Sequence, residues 1–284
     1  MAKILGIVGS HRYLGNCEVL VKAVAEAAGA EHELDLLRLT DFDLKPCNGC
    51  YRCSGGNKCV QDDDLDFIID AMVKADAVIF SAPTYVRGPS GIIKILGDRV
   101  VAIDQHLDDL WQKPAVVISA YGPEGDAGYG LTSMLSLVKM LGFDVKDYDT
   151  FLGALPGEAL FTPGAEERIA NMGKAIFGDR REKKEGECPY CGCNLWKFEK
   201  PGEAVCPICL TPAKFSAGED GKMKVTYGKA IKKVYEYEWL DGHFRSDLAK
   251  GRKSFEKTRE TLREKRNLYK EGYHWLTKES ENPL

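Results

Sequence analysis

Apolar segments alternate with amphipathic segments along the first 180 residues of the chain. Short apolar or alternating runs predict strands over residues 3–8, 33–39, 77–81, 115–119 and 144–151. Apolar residues at helical spacing predict helices over residues 14–28, 63–74, 88–103, 131–141 and 165–177. Such strand–helix alternation is typical of an α/β protein with a five-stranded parallel sheet covered on both faces, the doubly wound class.

Segments rich in Gly, Ser, Thr, Tyr and Pro follow three of the predicted strands, at residues 9–16, 83–88 and 119–130. Ligands of doubly wound sheets bind beyond the carboxyl ends of the strands, where such segments meet. A cysteine-rich loop, residues 47–59, follows another strand close by. We therefore expect the functional site at this edge of the sheet.

The cysteine loop carries Cys47, Cys50, Cys53 and Cys59 in the spacing C-x2-C-x2-C-x5-C. Thiolates are the usual ligands of a [4Fe–4S] cluster, and close spacing lets one loop reach several of its irons. The alternatives are a structural zinc, which also accepts four thiolates, and disulfides. Zinc sites usually pair two separated C-x2-C knuckles, and disulfides need an oxidising compartment, so the spacing favours a cluster.

Composition and charge narrow the class of protein. The chain has 284 residues, 44% hydrophobic, and a net charge of −4, which argues against broad affinity for nucleic acids or anionic membranes. Its ten cysteines are mostly clustered, which indicates metal binding more than disulfides. No apolar run is long enough for a membrane span or a signal peptide, so we expect a cytoplasmic protein.

A second group of cysteines follows a charged linker at residues 180–187. Cys188, Cys191, Cys206 and Cys209 form two C-x2-C knuckles, which is a strong indication of a tetrahedral zinc-ribbon or rubredoxin-like site. Residues 195–205 between the knuckles predict a hairpin. The first knuckle continues into a glycine and the second does not, and we favour zinc over iron. Cys193 remains as a spare ligand or a bystander.

The chain divides by these patterns into an α/β domain over 1–180, a ribbon over 186–227 and a helical extension over 228–284. The last 56 residues carry 14 Lys and Arg against 10 Asp and Glu, with interspersed aromatics and a strongly helical stretch at 255–269. We favour a solvated helix that packs on the body or on a neighbouring subunit over a nucleic-acid contact.

The segment Gly-Ser-His-Arg-Tyr-Leu-Gly-Asn-Cys, residues 9–17, joins the first strand to the first helix. Unpaired backbone N–H groups at a helix start, with the Ser10 hydroxyl and a cation, form a phosphate cradle. The segment matches neither the P-loop pattern nor G-x-G-x-x-G, and a plain turn would have a similar composition. We expect His11 to be an exposed turn residue.

Two motifs resemble those of the NADPH-dependent FMN reductase group of flavodoxin-like proteins. They are Gly9-Ser10-His11-Arg12 running to Asn16, and Ala82-Pro83-Thr84-Tyr85-Val86-Arg87-Gly88 running through Lys94 to Asp98-Arg99. Together with the cysteine loop, they make the chain resemble the iron–sulfur flavoproteins over roughly residues 1–178. The ribbon and the basic tail lie outside this resemblance. Asp98 and Arg99 are expected to cap or pair within a helix.

The resemblance implies an FMN site. The FMN phosphate would be held by Ser10, Arg12, Gly15, Asn16 and Cys17, with Cys17 in place of the usual Ser or Thr and contributing only its backbone N–H. The isoalloxazine ring would be bordered on one side by Pro83, Thr84, Tyr85, Val86 and Gly88, and on the other by Ser119, Ala120, Tyr121 and Gly122. For Tyr121, ordinary packing at a strand end is an equal alternative.

We therefore predict an FMN- and [4Fe–4S]-containing oxidoreductase that takes electrons from a ferredoxin-like donor and passes them through the cluster to FMN and an unknown acceptor. No triad or carboxylate pair suggests a catalytic side chain. The alternatives are an NAD(P)H-dependent flavin or quinone reductase whose loop cysteines hold a structural metal, and a redox-sensing module that binds nucleic acid or a partner protein. The resemblance also implies a homodimer or homotetramer.

Overall fold

The computed structural model describes residues 1–218 and 221–270. The end of the predicted extension, residues 271–284, lies outside the described residues. Strands of the main sheet are β1 (Ala2–Val8), β2 (His32–Arg38), β3 (Ala77–Tyr85), β4 (Gly88–Pro89), β5 (Pro114–Tyr121) and β6 (Asp144–Leu152). Its helices are α1 (Asn16–Ala27), α2 (Leu65–Lys74), α3 (Gly91–Asp98), α4 (Leu107–Leu110), α5 (Gly130–Met140) and α6 (Ala165–Ile176).

Five parallel strands form the sheet in the order β2-β1-β3-β5-β6, and the short β4 pairs antiparallel with β3. This order is that of the flavodoxin-like doubly wound fold, so the predicted fold class is confirmed. Helices α1 and α6 cover one face, where they pack together over a core that includes Val21 and Met172. Helices α2, α3 and α5 cover the other face, over a larger core that includes Phe80 and Phe143. Helices therefore shield both faces of the sheet from water, as its apolar strands require.

Two predicted helices have different limits. The pattern at 88–103 predicts one helix, but the chain forms the β4 hairpin strand, then α3, then a 3₁₀ segment at Val100–His106. Pro89 has no backbone N–H and a restricted φ, which suits an edge strand and not a helix interior. Helix α1 begins at Asn16 and not at residue 14, because Leu14 has a left-handed φ of 51°.

The ribbon forms a four-stranded antiparallel sheet in the order β10-β9-β8-β7. Its strands are β7 (Lys197–Lys200), β8 (Glu203–Val205), β9 (Pro212–Ala217) and β10 (Met223–Tyr227). The predicted hairpin is thus β7–β8, and two further strands extend it. Helices α7 (Tyr237–Gly242) and α8 (Leu248–Asn267) follow, joined by a π-type turn at His243–Asp247.

The predicted extension does not stand apart from the rest of the protein. Val234 packs in the small ribbon core, whereas Leu240 and Phe244 are fully buried in the main core. Trp239 packs against both. Helix α8 is exposed along its described side chains, as expected for a solvated helix. No described helix is both long enough and apolar enough to cross a bilayer.

Candidate functional site

The loop after β1 lies at the carboxyl edge of the sheet, between β1 and α1. Helix α1 begins at Asn16, and the first N–H groups of a helix have no acceptor within it. Ser10 is buried, and its hydroxyl accepts the backbone N–H of Arg12 at 3.2 Å. The Arg12 side chain is exposed and donates to the carbonyl of Ala154 at 2.7 Å. This donor set suits a phosphate group.

Two charged residues that the sequence patterns did not single out hold this loop from behind. Arg38 donates to the carbonyls of Ser10 and Arg12 at 2.8 and 3.0 Å, and pairs with Glu18 at 2.5 Å. Glu18 also accepts the backbone N–H of Leu14. Burial alone would raise the pKa of Glu18, but hydrogen bonds from Lys22, Arg38 and Leu14 lower it to about 2. An acidic residue in the first turn of a helix is the one local sign of this arrangement.

The side chains of Asn16 and Cys17 are both buried, and that of Asn16 is held by hydrogen bonds within the protein. The Asn16 amide donates to the carbonyl of Gly153 at 2.7 Å and accepts the N–H of Ala159 at 3.3 Å. Burial is the main reason that the pKa of Cys17 is raised to about 12, so its thiol stays neutral. A neutral thiol offers no charge to a phosphate, whereas the Asn16 amide has a second N–H that these bonds do not use. A contact of the Cys17 backbone with a phosphate stays a prediction.

Most of the predicted FMN residues border one cleft of about 250 Å³ at the carboxyl edge. They come from three loops and comprise Ser10, Arg12, Asn16, Cys17, Pro83, Thr84, Tyr85, Ala120, Tyr121 and Gly122. Three further residues border it: Pro123, Gly153 and Ala154. The last two follow β6, and their position after the fifth parallel strand could have indicated them.

Four predicted residues do not line the cleft. Ser119 is fully buried, and its hydroxyl bonds that of Thr84 at 2.9 Å. Gly15 precedes α1, and Gly88 lies under the Tyr129 ring, which a Cβ there would strike. Val86 is 97% exposed at the tip of the β3–β4 hairpin. These residues support the walls or stand at the rim.

The β3–β4 hairpin has an unfavourable backbone at its tip. Val86 and Arg87 both have positive φ values, of 48° and 67°, which match a type I′ turn without its usual Asn and Gly. Such strain in a β-branched residue is uncommon and concentrates at ligand sites. The tip is held by Arg87, which pairs with Asp126 at 2.7 Å and accepts the N–H of Tyr129 at 2.7 Å.

The four thiols of the cysteine loop are gathered near one another. Cys53 and Cys59 pack against the main core, while Cys47 and Cys50 are exposed. The pKa of Cys53 is raised by burial and by the nearby Cys59, Cys47 and Cys50 thiols. Left-handed residues at positions 49, 51, 55 and 56 turn the loop around them.

The loop thiols are spaced more widely than the ligands of one ion. Among the described residues, only the ribbon cysteines form a group of three or more metal-ligating side chains whose ligand atoms all lie within 4.8 Å. A cubane binds each thiolate to a different iron, so it needs more room than a single tetrahedral ion. Arg99 donates to Cys59 Sγ at 3.2 Å, and its Nε–H is buried with no acceptor among the described residues. The wider spacing of the loop thiols leaves room for a group larger than one ion.

The ribbon cysteines fit a single ion. All four predicted ligands are buried, with neighbouring sulfurs 3.4 to 3.6 Å apart. Cys193 does not join them in this group, and its sulfur accepts the N–H of Leu195 at 3.4 Å. Leu210 takes a left-handed φ of 57°, close to the 81° of Gly192 at the corresponding position of the first knuckle. The second knuckle thus has the same backbone shape without a glycine.

Comparisons with known proteins agree with this architecture. The sequence model of the family described as NADPH-dependent FMN reductase matches residues 2–146. An iron–sulfur flavoprotein of Archaeoglobus fulgidus is 30% identical over 55% of this chain and 71% of its own length. Another, from Methanocaldococcus jannaschii, is 40% identical over 34% of this chain, which spans about half (51%) of that relative. A solved structure described as a flavone reductase is 19% identical to this chain, with a TM-score of 0.67. The match covers 97% of this chain and 99% of that structure's chain, so the likeness of fold includes the ribbon.

Proposed function

The chain belongs to the NADPH-dependent FMN reductase family, and to the iron–sulfur flavoproteins within it, and from this premise we propose that it transfers electrons between a [4Fe–4S] cluster in the cysteine loop and FMN in the cleft. That it is an FMN-dependent oxidoreductase follows from the family. The proposal adds the cluster, a ferredoxin-like donor and an acceptor yet to be identified.

One observation carries the proposal: a widely spaced cysteine quartet and a cleft lined by most of the predicted FMN residues occur in the same domain, both in loops that follow strands of one sheet. When bound, FMN exchanges electrons in pairs as a hydride or singly, and a cubane cluster exchanges them singly. The two groups together convert between one- and two-electron carriers. No catalytic acid or base is needed for that conversion.

The chain's own residues would bind and orient FMN. The backbone N–H groups at the start of α1, with Ser10 and Arg12, would take the phosphate. The backbone of the Thr84–Tyr85 segment and of Ala120–Gly122 would border the ring, where hydrogen bonds to ring nitrogens tune its potential. Cys17, with its neutral buried thiol, would contribute shape and no charge.

Analysis of the anaerobically purified protein tests the proposal. We expect one FMN, one ribbon metal and about four iron and four acid-labile sulfide per chain. Cys53→Ser should remove the loop iron and the sulfide while FMN and the ribbon metal remain. Lys58→Ala, which changes an exposed residue of the same loop and removes no thiol, is the matched control and should keep all three. Wild-type protein that binds FMN but contains no sulfide would contradict the proposal.

An NAD(P)H-dependent reductase of an organic acceptor is the second candidate. It is favoured by a groove of about 470 Å³ between α3, α5 and the ribbon, whose wall includes Tyr129 beside Gly88 of the β3–β4 hairpin. A third relative, described as a flavone synthase of Aspergillus candidus, is 24% identical over 75% of this chain, and its name suggests planar aromatic compounds as the class of acceptor to test. Stopped-flow reduction separates the candidates. Rapid bleaching of the flavin by NADPH without ferredoxin supports the second, and reduction only through ferredoxin supports the first.

The remaining expectations belong to the same proposal. We expect zinc in the ribbon, because four closely gathered buried thiolates suit it. We also expect a homodimer or homotetramer and a cytoplasmic location. Metal analysis and light scattering of the purified protein address the first two.

A further inference from the structure

Arg99 lies buried beside the cysteine loop, although the sequence suggests pairing within its own helix. Its side chain and that of Asp63 are each 1% exposed, and their hydrogen bonds measure 2.6 and 3.1 Å. Burial opposes ionisation of Asp63, but hydrogen bonds from Arg99 and the Lys45 backbone lower its pKa below its ordinary value. The pair is therefore charged in the interior. Burying two charges costs several kcal/mol of solvation, so such a pair is weak support for stability alone.

The same guanidinium contacts both ends of the cysteine loop. It donates to the carbonyl of Lys45 at 2.7 Å, just before Cys47, and to Cys59 Sγ at 3.2 Å. Asp63 accepts the backbone N–H of Lys45 at 2.9 Å and so closes the base of the loop. The planar fork of arginine can make these bonds at once, which an ammonium cannot. Arg99 thus joins Cys59 to the two residues that flank the loop, Lys45 and Asp63.

One donor of this guanidinium is still unused. The Nε–H is buried and has no acceptor among the described residues. Buried donors without acceptors are rare, and one beside a candidate cofactor site indicates a missing partner. A group rich in sulfur and negative charge, held by Cys59, would be such a partner.

We propose that Arg99 is a positioning residue of the iron–sulfur site, which holds Cys59 as a ligand and raises the reduction potential of the cluster through its hydrogen bond to Cys59 Sγ. The inference rests on the proposed function, since it requires a cluster in the loop. Hydrogen bonds to cluster sulfurs and local charge are established determinants of potential. A purely structural ion pair would affect stability without affecting the potential.

Three variants test the inference. The double variant Asp63→Asn/Arg99→Gln replaces the two charged side chains with two neutral amides. Arg99→Lys keeps the charge and loses the fork. Lys94→Gln/Asp98→Asn is the matched control, because it removes an exposed ion pair from the same helix. Anaerobic redox titration gives the cluster potential, and loss of visible absorbance under an iron chelator gives the rate of cluster release.

We expect Asp63→Asn/Arg99→Gln to lower the potential, because Cys59 Sγ loses its guanidinium donor while the two removed charges cancel. The same variant should release the cluster roughly ten-fold faster or more, as for other partners of metal ligands. Arg99→Lys should keep a near-normal potential but release the cluster faster than the control. The control should match wild type in both. FMN content and circular dichroism report whether each variant folds. If the double variant does not fold, the release rate of Arg99→Lys decides the inference.

Two results would overturn it, and they differ from each other. Wild-type protein without iron and sulfide would refute the proposed function and this inference together. Wild-type protein with a cluster, but with variants that share its potential and release rate, would refute the inference alone.

Discussion

Glu18 and Arg38 illustrate how individual side chains shape the candidate FMN site without entering it. Both are buried behind the loop that faces the cleft, and together they fix its carbonyls and the N–H of Leu14. The backbone N–H groups of the loop can then point outward to an anion. The contribution of Glu18 depends on its charge, so it should depend on pH.

Glu18→Gln should lower the free energy of unfolding by about 2 kcal/mol at pH 7. The pKa of Glu18 is lowered from 4.5 to about 2 in the folded chain, so its stabilisation is present at neutral pH and is lost as the pH falls from about 4.5 towards 2. The difference between wild type and variant should therefore shrink below pH 4.5. Urea unfolding from pH 7 to pH 3 measures it.

Glu26→Gln, an exposed change on the same helix, is the control and should leave stability nearly unchanged. An equal loss for Glu18→Gln at pH 3 and pH 7 would show that the charge of Glu18 does not stabilise the loop.

At the scale of elements, the two knuckles of the ribbon adopt one backbone shape with different residues. The N–H of Gly192 bonds the carbonyl of Cys188 at 2.9 Å, and the N–H of Leu210 bonds that of Cys206 at 3.0 Å. Each of these residues has a left-handed backbone, which costs a non-glycine residue about 1 kcal/mol or more. The fold of the ribbon therefore tolerates strain at Leu210.

Leu210→Gly should stabilise the ribbon by about 1 kcal/mol, because it removes that strain. Gly192→Ala should destabilise it, because the added Cβ is strained and would strike the Tyr148 ring. Thermal unfolding of the zinc-loaded protein compares the two. A lower melting temperature for Leu210→Gly would mean that the packing of Leu210 outweighs its backbone strain.

A strap, residues 232–247, links the ribbon to the cysteine loop. At one end of the strap, the backbone N–H of Lys232 donates to the carbonyl of Cys209 in the ribbon at 3.1 Å. At the other end, the carbonyl of Phe244 accepts a hydrogen bond from the Ser54 hydroxyl of the cysteine loop at 2.8 Å. Arg245 pairs at 2.9 Å with Asp104, which is buried and also accepts the N–H of Gly56 at 2.6 Å. The strap thus holds the loop through side chains far away in the sequence.

Arg245→Ala should raise amide hydrogen exchange in residues 47–59 by about five-fold, because Asp104 loses the charged partner that orients it towards Gly56. Lys250→Ala, which breaks an exposed pair with Asp247 in the same region, is the control and should have no effect there. Equal exchange in the two variants would show that the strap does not hold the loop.

At the scale of the whole molecule, we expect the stability of the ribbon to depend on a bound metal more than that of the α/β domain does. Its core consists of the five cysteines and Val234, with a few partly buried aromatics around them. The main sheet, by contrast, has extensive apolar cores on both faces. Small units of this kind generally fold only with metal bound.

Stripping the ribbon metal with a chelator should unfold the ribbon and leave the α/β domain folded. Because the strap begins in the ribbon, exchange in the cysteine loop should rise as well, although the loop is not part of the ribbon. Hydrogen exchange before and after zinc removal, followed by zinc restoration, measures both effects. Unchanged protection of β7–β10 after removal would contradict the dependence on metal.

The order of elements, the class of sheet and the position of both cysteine groups could be predicted from the sequence. They depend on residues close together in the chain, where periodicity and spacing carry the information. The same is true of the loops that line the cleft, since strand ends in a parallel sheet share one edge. The limits of α1 and α3 were less predictable, because left-handed and 3₁₀ turns interrupt apolar patterns that look continuous.

Contacts across the molecule could not be predicted in this way. Arg99 reaches Cys59 across 40 positions, Asn16 reaches Gly153 across 137, and Ser54 reaches Phe244 across 190. No local pattern distinguishes a buried Arg99 that bonds a cysteine from an exposed one that pairs within its helix. Those contacts exist because packing of the two layers and the ribbon brings the residues together, and burial then makes each unpaired polar group costly enough to need its partner.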